Sequence, residues 1–201
     1  MRFNFSQTVL AAALALTAMG SQAANVPHPG LRFMMTGGVT AGGDKIDKVT
    51  YTDGATRNIS AGGTVTVGGG VLWQPEDSNF SLQTTLNYHF SNASASNGNA
   101  TFDRYPLEVI AFYNFAEQWR VGVGARHVFR PNYSFDVAGG FGVDYKDANG
   151  ALIEVGYFFT PQALLSLRYV HETYEEKTNS PYYKPAKLDG SHVGVNGSFI
   201  F

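Results

Sequence analysis

Seven charged residues stand in one phase of this chain: Arg32, Glu108, Arg120, Arg126, Glu154, Arg168 and Glu172. Lysine is absent from the set. A guanidinium fork satisfies several carboxylate oxygens at fixed geometry, whereas a lysine ammonium is a freely hydrated point charge. The set therefore suits an enclosed ion-pair network; the alternative is separate wet pockets in which the charges pair loosely. His89 and His192 share that phase and read as hydrogen-bonded interior groups rather than metal ligands. His127 and His171 lie in the opposite phase and read as amphipathic residues at an interface. His171 and Glu172 are adjacent on a strand, so they face opposite ways and cannot form a base and its orienting acid. Around Asp147-Ala148-Asn149-Gly150, Tyr145 and Gly156 occupy the places where a calcium loop needs acidic ligands. Gly68-Gly69-Gly70 is followed by no Lys-Ser or Lys-Thr, so it is no phosphate cradle. No catalytic, cofactor or metal site is predicted.

These phases belong to strands. The stretch His192 to Phe201 puts Val193, Val195, Gly197, Phe199 and Phe201 on one face, with small or polar residues mostly between them. Seven earlier segments alternate in the same way. They begin near Leu31, Thr64, Phe80, Arg104, Trp119, Leu152 and Leu165, and the cleanest is Phe80 to Ser91. Asp53-Gly54 suits a type I′ hairpin turn, so the first two strands are expected to extend into that hairpin. Ser91 to Ala100 carries no pattern that would bury it and reads as a loop. Between Pro131 and Gly150 either Ala138-Gly139-Gly140 or Asn149-Gly150 could be the turn, and matching flank lengths favour the first. Lys177 to Gly190 reads as a loop.

The chain has 201 residues, with 44% hydrophobic, 15% charged, 23 glycines and no cysteine, which fits one all-β domain rich in turns. The formal net charge is -2 and its charges do not segregate, so no nucleic-acid partner is indicated. Residues 1–24 read as a secretory signal, with Arg2, an apolar run from Val9 to Met19 and a small-residue site cut after Ala23 or Ala24. The run is shorter than the roughly 20 apolar residues of a spanning helix. Residues 25–201 then form the domain.

Connections are short after the second, fourth and sixth segments and long after the others. Such unlike rims, with eight alternating strands, predict a closed antiparallel up-and-down transmembrane β-barrel, because lipid offers no partner to a free sheet edge. Aromatics gather in two girdles: Phe33, Trp73, Phe80, Phe115, Trp119, Phe159 and Phe201 at the short-turn end, and Tyr88, Phe90, Tyr105, Phe129 and Tyr169 at the other. A soluble sandwich or lipocalin-type barrel would instead turn its large residues inward. Eight strands leave an interior that side chains can fill, so the charged row is expected to plug the lumen.

Together, the signal, the alternation, the unlike rims and the terminal Phe-Ile-Phe resemble the small eight-stranded outer-membrane proteins of Gram-negative bacteria: the OmpA transmembrane domain, OmpX and the opacity-type proteins. The resemblance implies location in the outer membrane and contact with its lipids, including lipopolysaccharide. It implies handling by periplasmic chaperones and the barrel assembly machinery, for which Val193, Val195, Phe199 and Phe201 resemble the terminal recognition signal. A monomeric, non-enzymatic structural or interaction protein with exposed loops is the expected function. A narrow solute channel is the alternative and a lipid A-modifying enzyme a further one. Against the last, Phe129 and Thr173 stand where a His-x-Ser arrangement would place serine.

Overall fold

The computed structural model describes residues 28–50, 56–95, 98–115, 118–136, 140–178 and 185–201. Residues 1–24, expected as a leader, and Asp53-Gly54, Ala116-Glu117 and Ala138-Gly139 lie outside them. The strands are β1 (Gly30–Gly42), β2 (Lys45–Thr50), β3 (Thr56–Ser60), β4 (Thr64–Gln74), β5 (Phe80–Ala95) and β6 (Gly98–Phe115). They continue as β7 (Trp119–Asp136), β8 (Phe141–Asp144), β9 (Ala148–Phe158), β10 (Ala163–Glu175), β11 (Lys187–Asp189) and β12 (His192–Ile200). Eight of them, β1, β4, β5, β6, β7, β9, β10 and β12, each pair antiparallel with the next, and β12 pairs with β1. The result is a closed eight-stranded antiparallel barrel with no free edge along its wall.

The register fixes its dimensions. Stepping across partners from Ala41 through Val193, Tyr169, Ile153, Val123, Ala111, Leu82 and Trp73 leads back to β1 at Leu31, ten residues from the start. That stagger tilts the strands and, with their number, sets an interior that side chains can fill. Every residue on this circuit faces outward. Alternation then decides the two faces: Phe33 is 70% exposed and Leu167 61%, while Met34 and Arg168 beside them are buried. Large apolar side chains thus cover the outside all round and the charged and most polar wall positions turn inside, the reverse of a soluble barrel. Among the described residues no helix is long and apolar enough to cross a membrane.

Three expectations need correction at the long-loop end. Ser91 to Ala100 is not a loop: β5 runs on to Ala95 and β6 starts at Gly98, paired from Ser91↔Phe102 to Ala95↔Gly98. Ala93 and Ala100 are fully buried there. Cross-strand pairing and burial override the weak strand propensity of Ser, Asn and Gly. Nor do the first two barrel strands extend into the Asp53-Gly54 hairpin. At Gly42 and Gly43 the chain turns off β1 with φ of 138° and 73°, values suited to glycine, and β2 and β3 form a separate two-stranded sheet. Within the expected Lys177–Gly190 loop, β11 pairs with the end of β10. Elsewhere the favoured alternative holds: β8 pairs with β7 from Phe135↔Phe141, and Asn149-Gly150 lies inside β9.

The interior is layered. At the short-turn end Met34, Leu72, Phe158, Leu164 and Ile200 pack as an apolar plug. At the long-loop end Phe102, Val128, Tyr133, Tyr145 and Tyr174 pack with Ala93, Ala100 and Ala148, and β3 contributes Ile59 from above. Ion pairs occupy the space between, flanked by Ile110, Phe112, Leu152 and Val170.

Candidate functional site

The ion pairs grow from inward positions of β6, β7, β9 and β10. Glu108 on β6 receives Arg126 Nη1 from β7 at 2.6 Å and Arg168 Nη1 from β10 at 2.9 Å. Arg168 also bonds Glu154 of β9, through Nη2 at 2.5 Å and Nε at 3.0 Å, in a fork on one carboxylate oxygen. Arg120 reaches the other oxygen of Glu154 at 3.1 Å and the Gln83 side-chain carbonyl at 2.9 Å. Arg126 Nε lies 2.8 Å from Glu172, whose carboxylate also accepts the Tyr174 hydroxyl. Each residue of this network is at most 6% exposed. Six of the seven predicted charges therefore meet in one continuous chain.

Arg32 is the exception. It lies at the short-turn mouth, half-buried, with Nη1 3.4 Å from the Phe201 carbonyl, and it joins no ion pair among the described residues. A strand's phase gives the face of a residue but not its depth, and Arg32 is too close to the barrel end to reach the carboxylates. Its place is taken by Arg104, fully buried on β6 and absent from the predicted set. Arg104 Nε is 3.9 Å from Glu172, and its guanidinium lies 4.9 Å from the Phe102 ring centre and 5.7 Å from that of Tyr174. Its inward phase on this strand is legible from the alternation with Glu108; what the phase does not give is that it reaches the network.

Aromatic faces complete the cradle. Arg120 stacks over Phe112 at 3.6 Å. Gly122 makes room for this, since a Cβ there would collide with the Phe112 ring. His89 lies beside the network, with Nδ1 3.2 Å from Arg126 and Nε2 2.8 Å from the Thr40 hydroxyl. Nε2 also lies 3.3 Å from Arg104 Nη2, so both ring nitrogens face an arginine that can only donate, and a neutral ring accepts from one of the two guanidiniums while its other nitrogen donates. His192 donates through Nδ1 to the Gly190 carbonyl at 2.8 Å. Both interior histidines are thus hydrogen-bonded as expected, and no cluster of metal-ligating side chains occurs among the described residues.

On the outer wall, the twelve girdle aromatics all point away from the lumen, Trp73 at 50% exposed and Tyr105 at 42% among them. Val193, Val195, Phe199 and Phe201 form the outward row at the chain's end, and the Phe201 amide donates to the Phe33 carbonyl at 2.9 Å, which closes the barrel. His127 bonds Asn149 at 2.7 Å. His171 meets a serine after all, Ser191, at 2.9 Å from Nδ1. That serine lies across the β10 to β12 connection, beyond the reach of a local His-x-Ser pattern. Asp189 accepts the Ser191 amide at 2.8 Å, and its bonds to Ser191 hold its carboxyl below the usual carboxylate range. Among the described residues no carboxylate meets the second ring nitrogen of His171, so the imidazole has no orienting acid.

Three solved structures are similar to this chain. Neisserial surface protein A matches at 12% identity and a TM-score of 0.45, over 85% of this chain and 97% of its own. The outer-membrane protein AlkL, determined in lipid bilayers, matches at 15% identity and a TM-score of 0.44, over 90% and 95%. OmpT, an outer-membrane protein of Vibrio cholerae, matches at 16% identity and a TM-score of 0.30, over 84% of this chain and 52% of its own. No curated protein matches the chain. One family model does, that described as "Putative MetA-pathway of phenol degradation", over residues 4–181, and the chain belongs to this family.

Proposed function

We propose that the chain is a monomeric outer-membrane barrel with a sealed axis, working without catalytic chemistry of its own, through its long-loop end and its outer wall. One observation carries this reading: a continuous Arg and Glu network, at most 6% exposed, is held between two apolar layers. An aqueous path would have to break those ion pairs, and a buried charge stripped of its partner is strongly destabilising. The apolar wall and two aromatic girdles support a place in lipid, and the unlike rims support short turns on the periplasmic side and long ones outside. In this setting the partners are lipopolysaccharide and neighbouring lipids. During assembly, the row Val193, Val195, Phe199 and Phe201 is what chaperones and the assembly machinery read.

The test is electrical. Wild-type barrels in planar bilayers should show no steady conductance, and Glu108→Ala or Arg168→Ala should open intermittent, noisy leaks. Steady wild-type conductance would overturn the sealed axis in favour of the channel. A second reading is favoured by the family description: the barrel serves the handling of phenols at the cell surface. A deletion strain growing on phenol as fast as its parent would refute it.

A further inference from the structure

The outer wall has one wide interruption. Towards the long-loop end, β5 carries Tyr88 and Phe90, β6 Tyr105, β7 Phe129 and β10 Tyr169. The adjacent strands β12, β1 and β4 carry instead Val193 and Val195, Val39 and Ala41, and Val65 and Val67. Nowhere else do two neighbouring strands lack an aromatic at this level. The gap is three strands wide.

A crevice of about 440 Å³ opens in it, floored by Val39, Ala41, Val193, Val195 and Leu167. Its roof is β3. Alternation along that strand sends Ile59 into the buried cluster and leaves Asn58 and Ser60 at the crevice rim. The root of this roof is pinned: the Asp44 amide donates to the Asp189 carbonyl at 2.7 Å and the Asp189 amide to Asp44 Oδ2 at 2.8 Å. The floor is therefore apolar and lipid-facing, and the rim offers an amide and a hydroxyl. Among the described residues none that lines it is charged.

We propose that this crevice binds small neutral phenols, with the ring on the valine floor and the hydroxyl at Asn58 and Ser60. Tyrosine is favoured at a membrane interface because one end is apolar and the other wet. A phenol in the gap does on β12, β1 and β4 what Tyr88 and Tyr105 do on their strands. The volume falls in the range of small-molecule sites, roughly 300–1,000 Å³, leaving space for a substituted ring. The proposal rests on the phenol-handling reading above and gives it a site away from the sealed axis.

The probe is 4-fluorophenol, followed by fluorine NMR with the full barrel in lipid nanodiscs, against empty nanodiscs. Saturable binding above the empty-disc background is expected. Val195→Trp and Ala41→Phe, each filling the crevice from a different strand, should weaken it at least tenfold, while Val123→Trp on the opposite wall should leave it unchanged. Folding of each variant is checked by its shift in electrophoretic mobility on boiling. 4-Fluorotoluene, which lacks the hydroxyl, should compete at least tenfold less well. Binding no greater than in empty discs, equal binding by the filled variants, or equal competition by the toluene would each overturn the site, as would a co-purifying lipid that the phenol cannot displace. These outcomes are separable from failure of the phenol-handling reading, since growth of the deletion strain does not depend on where a phenol binds.

Discussion

Arg104 and Glu154 differ in how much each leaves behind when removed. Glu154 holds two guanidinium groups, Arg120 at 3.1 Å and Arg168 at 2.5 Å. Glu154→Ala would strand both in a dry interior and should cost about 3–5 kcal/mol. Arg104 is the surplus cation of a network with four arginines and three glutamates, and neither its Nε nor its Nη1 has a hydrogen-bond acceptor. Arg104→Met keeps the packing against Phe102 and Tyr174 and leaves Glu172 its bond to Arg126, at the loss of one long contact from Nη2 to His89 Nε2 at 3.3 Å. It should be neutral or stabilising by about 1–4 kcal/mol, as buried ions replaced by apolar groups of similar volume often are. Urea unfolding of the two variants in lipid vesicles checks both, and an Arg104→Met variant as unstable as Glu154→Ala would mean that the Glu172 contact is a true ion pair. The sequence made Glu154 legible through its residue type and phase. It could not distinguish Arg104 from Arg32, because depth along the barrel axis depends on the stagger between strands, and no single strand encodes that.

A strand's alternation was legible wherever lipid enforces it. Leu167 and Arg168 on β10 face hydrocarbon and the lumen because a shift by one residue would reverse every side chain of the strand. At Ser91 to Ala95 no hydrocarbon selects apolar residues, so the outward positions are polar and the strand reads as a loop. There, burial against β3 holds the pairing instead. This difference in what supports the strand gives a depth-dependent expectation along one outward row of β10, which contains Leu167, Tyr169, His171 and Thr173. Leu167→Arg places a charge in hydrocarbon and should cost about 2–4 kcal/mol, whereas Thr173→Arg, beyond the girdle, should cost about 0–1 kcal/mol. Equal costs in vesicle refolding would mean that the apolar band does not end where Tyr169 marks it. His171 lies between the two and bonds Ser191 at 2.9 Å. Without an orienting acid, His171→Ala should leave the lipid A profile of cells unchanged; a shift in acyl content would reopen the enzyme alternative.

The whole molecule has a direction, and direction follows from its unequal ends. At one end the hydrophobic cluster around Phe102, Tyr133 and Tyr174 extends the barrel, and β2 and β3 fold against it. At the other, connections such as residues 75–79 and 159–162 are only a few residues long. On the outer-membrane reading proposed above, a chain delivered from the periplasm would carry its bulky end across the bilayer once and leave the short turns behind. The chain contains no cysteine, so a single introduced thiol reports its own position without background. Asp136→Cys, on the exposed tip side of β7, should react with a membrane-impermeant maleimide in intact cells. Pro161→Cys, in the turn between β9 and β10, should react only after the outer membrane is opened. The reverse pattern would invert the barrel, placing the roofed crevice on the periplasmic leaflet, out of reach of phenols arriving from outside. Labelling of both sites in intact cells would instead show that the barrel does not separate two compartments, and the lipid-facing assignment of the valine wall would fall with it.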